Sequence, residues 1–274
     1  EDFSFPDISN HLGVFFEFVP PMQPRWYSIC SSLSQFPNEV HITVAQFAYK
    51  TASGDIRKGV CSDWLRKHCP SSVLDRSLAL PIFNCASTFH LPEDVSTPVI
   101  MVATGTGLAP FRSFWQERHV QMQNLAHGNF GPFMLFFGCR SASEHIFKDE
   151  LDDMARSSTI TNLFVAYSRQ PQPGEVKKRI TVDLRSQARK LYDLCAKGAH
   201  LYICGDIVVA ESVKQTLRSC WNEHNMNQTL LTEMTQQKRI HEDIFGGISP
   251  VPGTIASAQA SRVDALTSET VRNF

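Results

Sequence analysis

Apolar and polar positions follow two different rhythms along the chain. Up to about residue 97, apolar residues come in short alternating runs. His41-Ile42-Thr43-Val44-Ala45-Gln46-Phe47-Ala48-Tyr49 alternates with period two between Pro37-Asn38 and Ser53-Gly54-Asp55. That pattern predicts a half-buried antiparallel strand ending in a turn. Leu12 to Val19 reads as another strand, closed by Pro20-Pro21. This half is predicted to be an antiparallel β-barrel or sandwich. After Pro98 the rhythm changes. Pro98 to Ala103 is a continuous apolar run, as in a strand buried on both faces. Further runs follow at Phe133 to Phe137, Leu163 to Tyr167 and His200 to Cys204. Helical patterns lie near Ala109–Met122, Ser143–Arg156, Val182–Lys197 and Ile207–His224. Strands alternating with helices predict a parallel α/β sheet. From Gly246 onward the periodicity fades. The predicted organisation is a β domain over 1–97, an α/β domain over 98–246 and a flexible tail over 247–274.

Composition narrows the class. The 274 residues suffice for two domains, at about 100–200 residues each. Hydrophobic residues make up 42% and charged residues 19%, which excludes a disordered chain. The net charge of −1 argues against a general nucleic-acid binder. No apolar run reaches the ~18–20 residues of a membrane span. Glu1-Asp2-Phe3-Ser4 has neither an initiator Met nor a signal-peptide pattern, so the chain reads as a piece of something longer. Its eight cysteines show no CxxC or zinc spacing, and a chain this large needs no disulfide staples. A reduced, cytoplasmic protein without a metal site is expected.

Three features carry candidate chemistry. The loop Gly105-Thr106-Gly107-Leu108-Ala109-Pro110 follows a buried strand and opens a helix. Glycines let a backbone approach a pyrophosphate, and the helix N-terminus offers free N–H groups. A simple tight turn is the alternative. Next, the following strands end in Cys139-Arg140 and Ser168-Arg169, with Lys177-Lys178-Arg179 beyond, where an NAD-binding fold would place an acidic residue. Arg and Lys there suit a 2′-phosphate, which favours NADP; a solvated basic face is the alternative. Finally, Arg25-Trp26-Tyr27-Ser28 and Gly59-Val60-Cys61-Ser62-Asp63-Trp64-Leu65 combine charge, stacking rings and hydroxyls that suit a flavin. From composition alone the aromatics read as core and the Arg as surface.

These segments, taken in order, are recognisable. With Phe-Gly-Cys-Arg (137–140), Ala-Tyr-Ser-Arg (166–169) and Tyr-Ile-Cys-Gly-Asp (202–206), they resemble the ferredoxin–NADP⁺ reductase-like half of diflavin reductases. Arg239-x-His241-Glu242-Asp243-Ile244-Phe245-Gly246, Val40 to Ala45 and Ala86 to Pro92 resemble the nitric-oxide synthase family in particular, in its C-terminal FAD/NADPH portion. The resemblance spans about Phe5 to Gly246.

It implies a partial FAD-binding domain followed by an NADP-binding domain, and hydride transfer from NADPH to FAD. Arg25 and the Val60-Cys61-Ser62 backbone would bind FAD phosphates, Tyr27 would stack on the flavin, and Thr43 and Ala45 would line it. Gly105 and Thr106 would meet the NADPH pyrophosphate. Arg140, Ser168, Arg169, Lys177 and Arg179 would hold the adenosine end, and Asp206 would lie beside the nicotinamide. Ser28, Cys204 and Asp243 match a polar cluster on the hydride path, and Phe245 the aromatic covering the other flavin face. Cys204 is equally consistent with a core cysteine, and Phe245 with a simple anchor.

In the parent enzyme the resemblance implies FMN and haem domains, tetrahydrobiopterin, calmodulin as a partner, and a homodimer formed through those other domains. The sequence departs from the family at Ala103-Thr104, where Gly-Pro is usual, and at Arg179 and Thr181, where Tyr and Gln are usual. The stretch from Leu217 to Arg239 is short, which puts the last helix and strand in question. Two other readings stand beside this one: a P450-reductase-type diflavin enzyme, and a flavin-free nucleotide-binding regulatory module.

Overall fold

Alternate residues of one strand feed two different cores. In β3 (Val99–Thr104), Ile100 and Val102 point to one face of a sheet, and Val99, Met101 and Ala103 to the other. All five are fully or almost fully buried. The same alternation runs through β4 (Phe133–Ser141) and β6 (His200–Gly205). Strands buried on both faces are continuous apolar runs, which is why the sequence marks them without a period of two. The computed structural model describes residues 13, 16–17, 22, 24–69, 80–125, 128–171, 174 and 176–245.

The sheet has five parallel strands in the order β5-β4-β3-β6-β7, with β5 at Asn162–Gln170 and β7 at Ile240–Ile244. On one face lie α4 (Ile180–Ser186), α5 (Ala188–Ala196), α6 (Ile207–Glu223) and α7 (Leu230–Gln236). On the other lie α2 (Ala109–Asn124), α3 (Lys148–Arg156) and the segment carrying Phe89 and Leu91. The chain leaves β3 towards β4, then returns to place β6 on β3's other side. The C-terminal ends of β3 and β6 therefore flank a topological switch point, where open α/β sheets bind ligands.

The first half is less regular. β1 (Ala48–Lys50) and β2 (Ile56–Lys58) form an antiparallel hairpin around Gly54, whose φ is 96°. The turn sits where Ser53-Gly54-Asp55 predicted it. The longer strand expected from His41 does not form. Among the described residues its only other pairing is an isolated antiparallel bridge between Ile29 and Ile42. A strand needs a neighbour for its N–H and C=O groups; none is supplied along 43–46 among the described residues, and Phe47 is held by Gly59, whose N–H donates to its carbonyl at 2.8 Å, and by the Ser62 hydroxyl rather than by a strand. Ile42, Phe47 and Tyr49 accordingly stay about half exposed. The antiparallel pairing is present, but not as a closed barrel of the described residues. α1 (Val60–His68) follows the hairpin.

Other differences are local. The strand expected at Leu12–Val19 falls mostly outside the described residues, and Gly13, Phe16 and Glu17 within it are helical. The helix expected from Ser143 begins only at Lys148, because Phe147 adopts a left-handed φ of 55° that turns its ring onto Trp115. The helix expected over Val182–Lys197 is two helices broken at Gln187. The short stretch after Leu217 still accommodates α7 and β7, through a tight turn at Asn225 with φ 54°. The tail lies outside the described residues. All eight cysteines are free thiols. No helix among the described residues is long and apolar enough to cross a membrane, and these residues hold no cluster able to ligate a metal.

Candidate dinucleotide and flavin site

The C-terminal edge of the sheet lines up the candidates in a row. Thr104 pairs with Gly138 and Gly138 with Ala166, so Arg140 and Ser168-Arg169 project at the ends of β4 and β5. The Gly105–Leu108 turn follows at the end of β3. Gly205 and Asp206 follow at β6, then Ile244 and Phe245 at β7.

The glycine loop is a 3-10 turn whose first residue has φ 54°, and no side chain caps it. Gly107 is indispensable for a close approach. A Cβ there would sit 2.2 Å from the Cys204 carbonyl oxygen. Gly105 faces open space, so a ligand can reach its backbone. Pro110 stands in the first turn of α2, where a missing N–H costs nothing. Thr104, one of the departures, leans away from the loop. Its hydroxyl and methyl occupy the room left by the absent Cβ atoms of Gly205 and Gly138.

At the β4–β5 end, Arg140, Arg169, Lys177 and Arg179 are exposed and pair with no carboxylate among the described residues. Lys178 differs: it is bound to Asp183 at 2.6 Å. The Lys178 N–H donates to the Tyr167 carbonyl at 3.0 Å, which brings the 177–179 run against the end of β5. The Ser168 hydroxyl donates to the Cys139 carbonyl at 3.2 Å. Asp206 caps α6, accepting from the Val208 N–H at 2.8 Å, so one of its oxygens is already committed to that helix.

At the β6–β7 end a polar cluster forms across the two halves of the chain. Ser28 donates to Asp243 Oδ2 at 2.5 Å, and the Cys204 thiol donates to the same oxygen at 3.8 Å. Burial, and then the Asp243 carboxylate, push the Cys204 thiol far above its usual range, so it is a neutral SH. The Phe245 N–H donates to the Gly205 carbonyl at 3.0 Å, and its ring is 40% exposed beside this cluster.

The first half supplies the remaining candidates. Tyr27 donates its hydroxyl to Cys61 Sγ at 3.3 Å, and burial, followed by that bond, pushes its pKa up to about 12. Tyr27, one residue from Ser28, is thus tied to the first turn of α1. Gly59 precedes α1 in an extended conformation with no side-chain cap. The first-turn amides of Val60, Cys61 and Ser62 lack intrahelical acceptors and carry the positive end of the helix dipole. Ser62 Oγ accepts from the Phe47 N–H at 3.2 Å. Thr43 donates to Cys30 Sγ at 3.5 Å and opens on a cleft of about 570 Å³. Arg25 and Ala45 are exposed. Uncapped amides on α1 and an open glycine turn on β3 are the donor sets that two phosphate-bearing coenzymes need, so the residues present fit FAD and NADPH.

Sequence reasoning missed the groups that join the halves. Ser32 donates its N–H to Gln116 Oε1 at 3.0 Å and its hydroxyl to Glu117 at 2.6 Å. Glu150 accepts from Arg112 at 2.8 Å, Trp115 at 2.7 Å and Gln116 at 3.0 Å. The available signal was an Arg and a Gln at i and i+4 among the apolar residues of one helix.

The FAD binding domain family matches residues 3–64, and the oxidoreductase NAD-binding domain family matches residues 101–215. The chain is 39% identical over 259 residues to the inducible nitric oxide synthase of Homo sapiens, covering 90% of this chain and 22% of that protein. It is 34% identical over 255 residues to the inducible nitric oxide synthase of Gallus gallus, with the same coverage. It is 33% identical over 250 residues to a nitric oxide synthase-like protein of Bombyx mori, covering 88% of this chain and 22% of that protein. The chain thus spans about 22% of the length of these relatives. It belongs to the FAD- and NAD(P)-binding oxidoreductases, as a portion of the reductase part of the nitric oxide synthase family.

Proposed function

We propose that this chain moves hydride equivalents from NADPH to FAD within a nitric oxide synthase. The observation that carries the reading is the order of groups along the sheet edge. Cations stand at β4 and β5, an open glycine turn at β3, and the Ser28–Cys204–Asp243 cluster at β6 and β7. An extended dinucleotide laid along that edge puts its 2′-phosphate at one end and its nicotinamide at the other. Arg140, Arg169, Lys177 and Arg179 hold the phosphorylated adenosine end; forked and point cations there discriminate NADPH from NADH. The amides of Gly105 and Thr106 take the pyrophosphate.

FAD supplies the redox chemistry when bound, accepting a hydride at its N5. Arg25 and the α1 amides hold its phosphates, Tyr27 stacks against it, and Thr43 and Ala45 flank it. Ser28, Cys204 and Asp243 supply fixed dipoles and one carboxylate beside the reacting rings, already oriented in the folded chain. Phe245 covers the site and must swing aside to admit the nicotinamide. Catalysis here is mostly positioning.

The proposed boundary between the halves is 97/98; the turn in which the Thr97 N–H donates to the Asp94 carbonyl at 3.1 Å supports it. In the parent enzyme, electrons would pass one at a time to an FMN domain and then to a haem domain, where tetrahydrobiopterin would bind and arginine would be oxidised, with calmodulin gating the flow. Dimerisation through those domains and a cytoplasmic location belong to the same reading. Its support is the identity to nitric oxide synthases. The test is to saturate the chain with FAD, add NADPH without oxygen and follow flavin absorbance. Bleaching, with onward reduction of ferricyanide, is the expected result. Retained FAD that NADPH cannot bleach overturns the reading.

A further inference from the structure

We propose that Arg112 is a positioning residue that locks the flavin-holding segment onto the nicotinamide sheet. This rests on the hydride-transfer reading above. Arg112 lies one helical turn beyond the glycine loop, on α2, and is 14% exposed. Its Nε donates to Glu150 at 2.8 Å. Its Nη1 donates to the Cys30 carbonyl at 3.1 Å and to His41 Nδ1 at 3.2 Å. A guanidinium has no acceptor, so His41 Nδ1 accepts, and its Nε2–H is free to donate to Glu39, 2.8 Å away. Phe147 lies under the guanidinium, 4.9 Å from its centre.

Cys30 and His41 are themselves paired, Cys30 N–H to His41 carbonyl at 2.8 Å. One side chain therefore grips both segments joined by the Ile29–Ile42 bridge at once. Those segments lead two residues away to Ser28 and to Thr43, one on the hydride cluster and one a candidate flavin contact. The far end of the grip, Glu150, is fixed by Trp115 and Gln116 of the same helix. The helix that presents the pyrophosphate loop thereby also sets the register of the flavin segment. A positional error of about 1 Å between the reacting rings can cost about 10²-fold in rate. Lysine cannot replace this grip, because one ammonium cannot reproduce the fork between Glu150 and the two acceptors of the flavin segment.

The test compares R112Q and R112K with the unaltered chain and with R185Q, which removes an exposed ion pair to Glu223. In the cofactor-free chain, hydrogen exchange of amides 28–43 should quicken about tenfold in both Arg112 variants, the effect of one charge-assisted bond, and not in R185Q. With FAD bound, NADPH reduction should slow about 10²-fold per flavin, while the NADP⁺ dissociation constant moves less than about twofold. Unchanged exchange over 28–43 overturns the proposal. So do Arg112 variants that lose FAD or melt earlier yet reduce each bound flavin at the unaltered rate, the result of a merely structural role. If the unaltered chain takes no hydride from NADPH, the functional reading fails, and the exchange result alone then decides the grip.

Discussion

Ser28 and Asp243 lie 215 positions apart in sequence and 2.5 Å apart in space. The bond joins the first segment of the flavin half to the edge strand of the nicotinamide half. Asp243 Oδ2 also takes the Cys204 thiol. A single carboxylate oxygen thus holds one donor from each side: an OH from the flavin segment and an SH from β6.

Cys204→Ala removes one of these two donors and, because the thiol is neutral and fully buried, leaves a small cavity in the core rather than an unpaired charge. Flavin reduction should slow by about tenfold or more, and NADPH affinity should stay within about twofold, since only transition-state contacts are lost. Stopped-flow absorbance and an NADP⁺ titration check the two halves of that statement. Equal losses in both would remove Cys204 from the hydride path.

Gly107→Ala and Gly105→Ala separate two reasons for glycine in one loop. The first places a Cβ 2.2 Å from the Cys204 carbonyl oxygen, so β6 must move; a cost of roughly 3 kcal/mol is expected. The second meets no atom within 4 Å but imposes a positive φ, at about 1 kcal/mol. Denaturant melts of both variants check the ranking.

Removing cations at the β4 and β5 ends should change coenzyme choice without changing chemistry. Arg169→Ala and Arg140→Ala should each weaken NADPH binding by about tenfold, the worth of a charge-assisted phosphate contact. NADH binding should hardly move. Competition by 2′-phospho-AMP against the unaltered chain and each variant reads this directly.

The His200–His241 pair sets an acid limit on stability. Its rings stack with centroids 5.2 Å apart, and Nδ1 of one lies 3.0 Å from Nε2 of the other. Burial, then His200 and His90, lower His241 from 6.5 to about 4. The same direction holds for His200, through burial and then Arg239 and His90. The unfolded chain binds these protons first, so the stabilisation is present above pH 6.5 and is lost as pH falls towards 4. For His241, which is part exposed, that is about 1 kcal/mol after solvent screening. His241→Gln should flatten the fall in melting temperature between pH 6.5 and 4; an unchanged slope contradicts this.

The nicotinamide half was readable in sequence because β3, β4, β5 and β6 carry continuous apolar runs, whereas β7, Ile-His-Glu-Asp-Ile, carries none and stays in question from sequence. The flavin half was not, because period two marks a strand only where a neighbour pairs with it. Residues 43–46 show the pattern without a backbone partner among the described residues, and Ile42 and Phe47 beside them stay about half exposed. Breaks such as Phe147 and Gln187 depend on tertiary packing, which helix periodicity does not record. The Ser28–Asp243 bond was reached only through resemblance. Nothing within a few residues of either side chain reveals a partner 215 positions away.

Hydride transfer here requires two coenzyme rings to meet at Ser28, Cys204 and Asp243. A crystal structure of the chain with FAD and NADP⁺ decides whether they do. Nicotinamide C4 and flavin N5 should lie about 3–3.5 Å apart beside those three side chains, with the 2′-phosphate among Arg140, Arg169, Lys177 and Arg179. Rings bound away from those three side chains, for instance against α6 at Val208 and Gln215, would rule it out.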